Sequence, residues 1–183
     1  MLRAFLRSRV KAFERRYNYD AGYMHEVLRI SPKALFSLQG LGKMSGFRGP
    51  SPSIWAGALL ASSLDGDCGP CAQLVVDLSL EAGVKADLLQ AAARRDFARA
   101  GDVGLGFRFA EAAIEGAAEL EDLRRAIVEG HGEEALVAAS FASCSGRAYP
   151  VLKRGLGHAE ACRRLVIGGE AIAPKAALRE SAA

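Results

Sequence analysis

The chain has no stretch approaching the roughly 18 uninterrupted apolar residues of a membrane-spanning helix. Its longest apolar run, residues 54–64, is shorter, holds Ser62 and Ser63, and reads as a buried helix. A large excess of one charge is also missing. There are 24 Lys and Arg against 21 Asp and Glu, a net charge of +3, whereas a nucleic-acid binder shows a stronger and wider basic surface. The small excess is concentrated at the start of the chain, where Arg3, Arg7, Arg9, Lys11, Arg15 and Arg16 meet only Glu14. Cysteine is scarce: Cys68, Cys71, Cys144 and Cys162 are too few for a disulfide scaffold in 183 residues. No signal peptide precedes them, so the expected compartment is the reducing cytoplasm. Alternating β-branched runs are nearly absent, and there is no repeat of fixed period. No glycine-rich stretch follows a strand, Gly155-Leu-Gly157 included, so neither a dinucleotide fingerprint nor a P-loop is present and no cofactor is expected.

What remains is an ordinary globular composition, half hydrophobic and a quarter charged, with helical spacing throughout. The reading is an all-α fold: one helical domain over residues 1–167, followed by a frayed tail at 168–183. Leu2, Phe5, Leu6, Val10, Phe13 and Tyr17 form the apolar stripe of a basic amphipathic helix over 1–17. That stripe is expected to pack on the domain with its arginines in water, in preference to lying on a membrane surface. Met24, Val27, Leu28 and Ile30 mark a second helix, ended by Ser31-Pro32, and Ala34, Leu35, Leu38 and Leu41 a third. After a loop at 47–53, Pro52 suits the first turn of a helix running to about Leu64. Further helices are expected at 88–97, 103–114, 120–128, 133–143 and 149–166. A division into two helical halves near Gly101 is compatible with this pattern.

The chemistry-bearing motif is Cys68-Gly-Pro-Cys71, at the start of a helix whose apolar face is Cys71, Leu74, Val75 and Leu78. Two thiols at this spacing can close a disulfide within one helical turn. The partial positive charge of a helix N-terminus favours the thiolate. Asp65 and Asp67 oppose that by like-charge repulsion, and Asp67 is expected to cap the helix. Thioredoxin carries the same four residues after a β-strand; here the preceding segment is helical and no βαβ pattern surrounds the motif.

Residues 62–84, SSLDGDCGPCAQLVVDLSLEAGV, with a helix before and a helical segment after at 88–97, resemble the alkylhydroperoxidase AhpD and carboxymuconolactone decarboxylase superfamily. The resemblance covers about a third of the chain clearly. It implies an AhpD-like helical bundle assembled as a homo-oligomer, a trimer or hexamer. It also implies a peroxide-reducing dithiol in which Cys71 attacks and Cys68 resolves, re-reduced by a dithiol protein. The sequence departs from the family pattern twice. The histidine expected four residues after the second cysteine is Val75, and the glutamate expected twelve residues before the first is Ala56. The family's proton relay is therefore missing, and Asp77, on another helical face, does not replace it.

Outside the motif the signals are weaker. His158 and Cys162 share a face of the expected last helix and with the cysteine pair would make a four-ligand zinc set; an exposed or capping His158 is the preferred reading, and no metal is expected. Cys144, in line with Val137 and Phe141, is expected in the core. His25 reads as exposed and His131 as the end of a helix; neither has a serine or cysteine partner for hydrolase chemistry. Tyr149 and Lys153 are candidates for a pocket wall with Tyr149 as proton donor, and Trp55 for a wall or core position. Three functions fit: a thiol–disulfide oxidoreductase acting on hydroperoxides; a non-redox lyase or small-ligand binder on the same fold; and a structural oligomer without chemistry.

Overall fold

Proline and glycine set most of the boundaries in the computed structural model, which describes residues 1–158 and 165–174. Nine helices are described: α1 (Leu2–Tyr17), α2 (Gly22–Ile30), α3 (Pro32–Ser45), α4 (Pro52–Asp65), α5 (Gly69–Glu81), α6 (Ala86–Ala93), α7 (Gly101–Glu115), α8 (Leu120–His131) and α9 (Glu133–Gly155). Pro32 and Pro52 sit in the first turns of α3 and α4, where a missing N–H costs nothing. Ser31 caps α3, its hydroxyl accepting the Ala34 N–H at 3.2 Å. A hairpin, β1 (Leu165–Ile167) and β2 (Glu170–Ile172), completes an otherwise all-α fold. No helix among the described residues is long and apolar enough to cross a membrane.

α4 is the central element. Every residue from 54 to 63 is buried, as expected of a helix without a polar face. α7 and α9 pack along it, and glycine permits both contacts. A Cβ on Gly106 would lie 2.0 Å from the Ile54 carbonyl oxygen, and one on Gly57 would lie 1.9 Å from that of Val103. Against α9 the same role falls to Gly146, whose Cβ would meet the Ser62 hydroxyl at 2.0 Å.

The apolar side chains form two clusters. The larger is built on α4–α9 and the hairpin; the smaller joins α1, α2 and α3 and includes Leu6, Val10, Tyr23 and Leu35. The natural division of the chain thus lies before α4, and not near Gly101, because α4 and α7 are packed face to face across that point.

Three expectations at the C-terminal end are corrected. α9 is continuous from 133 to 155, where two separate helices were expected, and it carries Pro150 within it. The proline ring lies over the Cβ-free face of Gly66. Residues 165–172, expected to end a helix and begin a frayed tail, form the hairpin, in the register Leu165↔Ile172, Val166↔Ala171 and Ile167↔Glu170. Its turn is Gly168-Gly169, both at positive φ, the conformation that tight hairpins require. Leu165, Ile167 and Ile172 are buried. Gln73 exchanges two hydrogen bonds with the Val166 backbone, at 3.0 and 2.8 Å, and Gln90 donates to the Ile167 carbonyl at 2.9 Å. Cys144 is exposed rather than core. The face of α9 turned to the interior is the small-residue one, with Ala135, Ala138, Ala139, Ala142 and Gly146. The larger Val137 and Phe141 are left on the outside.

Candidate functional site

Ser62 to Cys71 fold back sharply between α4 and α5. The Asp65-Gly66-Asp67 turn ends α4, with Asp67 at a φ of 49°. Cys68, not Asp67, holds the N-cap position of α5, and Pro70 lies in the first turn. The turn is fastened to α9. Arg147 Nε lies 3.0 Å from the Asp65 carboxylate, and Arg154 donates to the Gly66 carbonyl at 3.3 Å. The expected repulsion between Asp65 and a cysteine thiolate is therefore offset by a paired guanidinium.

Cys68 and Cys71 are joined as a disulfide, with Cα atoms 5.3 Å apart. Both are almost fully buried, at 3% and 5% exposure. They are not equivalent. Cys71 lines a cavity of about 660 Å³, and Cys68 does not. The volume lies within the range of small-molecule sites. The cavity lies between the two apolar clusters. α4 supplies Trp55, Leu59 and Ser63; α5 supplies Cys71, Leu74, Val75 and Leu78. These positions recur at the three- and four-residue spacing of one helical face. α1 and α3 cover them with Leu6, Val10, Leu35 and Leu38, and α9 adds Tyr149.

Val75 and Ala56, the two positions where the resemblance leads one to expect a histidine and a glutamate, differ in setting. Val75 faces the cavity one turn beyond Cys71. Ala56 is fully buried in the larger cluster and is not part of the wall. No carboxylate and no imidazole lines the cavity among the described residues. Asp77 turns away; it accepts from Gln73 at 3.0 Å, and burial raises its pKa. The hydroxyl of Tyr149 lies 3.4 Å from that of Ser45, and burial pushes its pKa up, so it stays protonated at neutral pH.

Trp55 forms part of the wall as well as of the core. Its Nε1 donates to the Ser45 carbonyl at 2.7 Å, and the Arg48 guanidinium lies over its ring at 5.0 Å. Lys153 lies instead against the rings of Tyr19 and Tyr23, at 5.3 and 5.7 Å, and is not in the cavity wall. The three histidines each meet an acid: His25 with Glu14 at 3.0 Å, His131 with Asp102 at 3.4 Å and His158 with Glu26 at 2.8 Å. His158 is thus occupied away from the cysteines, Cys162 lies outside the described residues, and no group able to hold a metal ion occurs among the described residues.

No protein-family model, no curated protein and no solved structure matches this chain.

Proposed function

We propose that the chain is a dithiol–disulfide oxidoreductase in which Cys71 meets the substrate and Cys68 closes the pair. One observation carries this reading: of two bonded sulfurs, only Cys71 belongs to the wall of an apolar cavity. Its place in the first turn of α5 adds the favourable field of a helix N-terminus. The substrate is an organic hydroperoxide. The Cys71 thiolate attacks the terminal oxygen, the O–O bond breaks, and the alkoxide takes a proton and leaves as the alcohol. The Cys68 thiolate then attacks the sulfur of the Cys71 sulfenic acid; hydroxide leaves as water and the disulfide forms. An external dithiol returns the pair to the reduced state by exchange. With no acid or imidazole in the wall, its hydroxyls, Tyr149 and Ser63 among them, are the groups available to supply protons.

The test is timed alkylation of the reduced protein after one equivalent of cumene hydroperoxide, read by mass spectrometry. Rapid conversion to a Cys68–Cys71 disulfide is expected, with Cys68→Ser halting at a Cys71 sulfenic acid trapped by dimedone. Thiols that remain alkylatable for hours would end this reading in favour of a ligand-binding protein, which the cavity also suits.

We also propose that the chain pairs with itself through α9. Val137, Phe141, Cys144, Ala148 and Val151 recur at alternating spacings of four and three on its outer side, the spacing of a helix–helix seam. Val137 and Val151 lie seven residues to either side of Cys144. Antiparallel pairing sets Glu133 and Glu134 of one copy near Arg154 of the other.

A further inference from the structure

We infer that the cavity is a site for an amphipathic anion whose single apolar chain lies along α4 and α5 and whose acidic head meets Arg48. α4 and α5 are joined by the tight turn at 65–68, and both line the cavity. Ser63 and Cys71 are the wall residues of these helices nearest the turn in sequence, and Trp55 and Leu78 those farthest from it. At 1.5 Å per residue Trp55 lies about 12 Å along α4 from Ser63, and Leu78 about 10 Å along α5 from Cys71, which makes the wall elongated, a channel for one chain. Arg48 stacks on Trp55 and so stands at the end away from the disulfide.

The charged side chains of the wall are of one sign. Arg9, Lys43 and Arg48 line the channel, and no carboxylate does. Among the described residues none of the three forms an ion pair. Glu81, whose carboxylate feels the Arg48 charge, is already bound by Arg16 at 3.1 Å and Tyr17 at 2.9 Å. A half-buried guanidinium on an aromatic face, at the head of an apolar channel and without an acid of its own, is a site for the carboxylate of a chain-bearing acid. The reacting group at the other end rests on the proposed dithiol reading: a hydroperoxide carried on that chain, brought to Cys71 while the head is held at Arg48. The charge and shape of the ligand rest on the channel alone.

Trp55 is the only tryptophan and lines the channel, so its fluorescence reports occupancy. The disulfide-bonded protein is titrated, below micellar concentrations, with decanoate, decan-1-ol and decyltrimethylammonium, which share a chain and differ in the head. Saturable binding of decanoate is expected, at least about tenfold tighter than either comparator, the scale of one charge-assisted hydrogen bond. Arg48→Gln is expected to remove most of that preference. Equal binding of the three probes, or no binding of decanoate, overturns the inference. That comparison needs only the parent protein, so it stands if Arg48→Gln fails to fold; an intact preference in a folded Arg48→Gln also overturns it. Decanoate carries no peroxide, so its binding is read whether or not Cys71 reacts. Binding with inert thiols refutes the dithiol reading alone, and reactive thiols without a preference for the acid refute this inference alone.

Discussion

At the level of single residues, the departure that matters most is Val75. It lies on the cavity wall with Cys71, where an imidazole would reach the same space; Ala56, inside the larger cluster, has no such access. Val75→His is therefore expected to accelerate disulfide formation with cumene hydroperoxide by roughly tenfold or more, short of the full reach of general acid–base catalysis. Stopped-flow Trp55 fluorescence or timed alkylation measures it; an unchanged rate would show that the present wall already moves protons fast enough. The cysteine pair and its place at a helix start were legible from the order of residues. The cavity that Cys71 alone of the two lines was not, because it depends on side chains from α1, α3 and α9 that close the space over α4 and α5.

At the level of elements, helical periodicity and proline positions located α1 to α5, α7 and α8 to within a few residues, whereas the segment expected at 88–97 is helical only over Ala86–Ala93. α9 misled for a physical reason. The expected gap at 144–148 is helical, and the Pro150 ring within the helix is accommodated against Gly66. The large apolar residues of α9 suggested a buried face, whereas the buried face is the alanine and glycine one, because close approach to α4 needs small side chains. The hairpin strands are three residues each, too short to show alternation, and only Gly168-Gly169 signalled them. The α4–α7 contact yields a direct prediction. Gly106→Ala places a methyl 2.0 Å from the Ile54 carbonyl oxygen, backbone that cannot swing aside. The helices must separate, at a cost of about 3 kcal/mol, the upper part of the range for overpacking. Urea unfolding measures the loss; Gly130→Ala, with nothing within 4 Å of the added carbon, is the control and is expected to change little.

At the scale of the whole molecule, one prediction follows from how the clusters are assembled and one from the outer face of α9. Tyr23 and Tyr149 are held in or beside the smaller cluster, and burial is the leading cause that raises the pKa of each. Above the ordinary tyrosine value, near 10, the unfolded chain releases these protons while the folded chain keeps them. Stability is therefore full below that pH and falls above it, by up to about 1.4 kcal/mol per pH unit for each tyrosine. Urea midpoints across the alkaline range measure the slope, and Tyr23→Phe is expected to reduce it. The second concerns the proposed pairing along α9. A two-fold pair centred on the stripe brings the two Cys144 side chains together. Mild oxidation is expected to give a dimer crosslinked through Cys144, lost in Cys144→Ser. Phe141→Arg is expected to leave a monomer by sedimentation; a monomeric parent protein would contradict the pairing outright.

Because the Cys71 sulfur is itself part of the channel wall, occupancy and electron count are thermodynamically tied. A ligand that prefers the disulfide form over the dithiol form must, by reciprocity, make the pair harder to reduce, and one that prefers the dithiol must make it easier. A tenfold preference corresponds to about 30 mV for a two-electron couple. Titrating the pair against glutathione buffers with and without decanoate would turn a binding site into a voltage. Its sign tells which form of the wall the occupant favours.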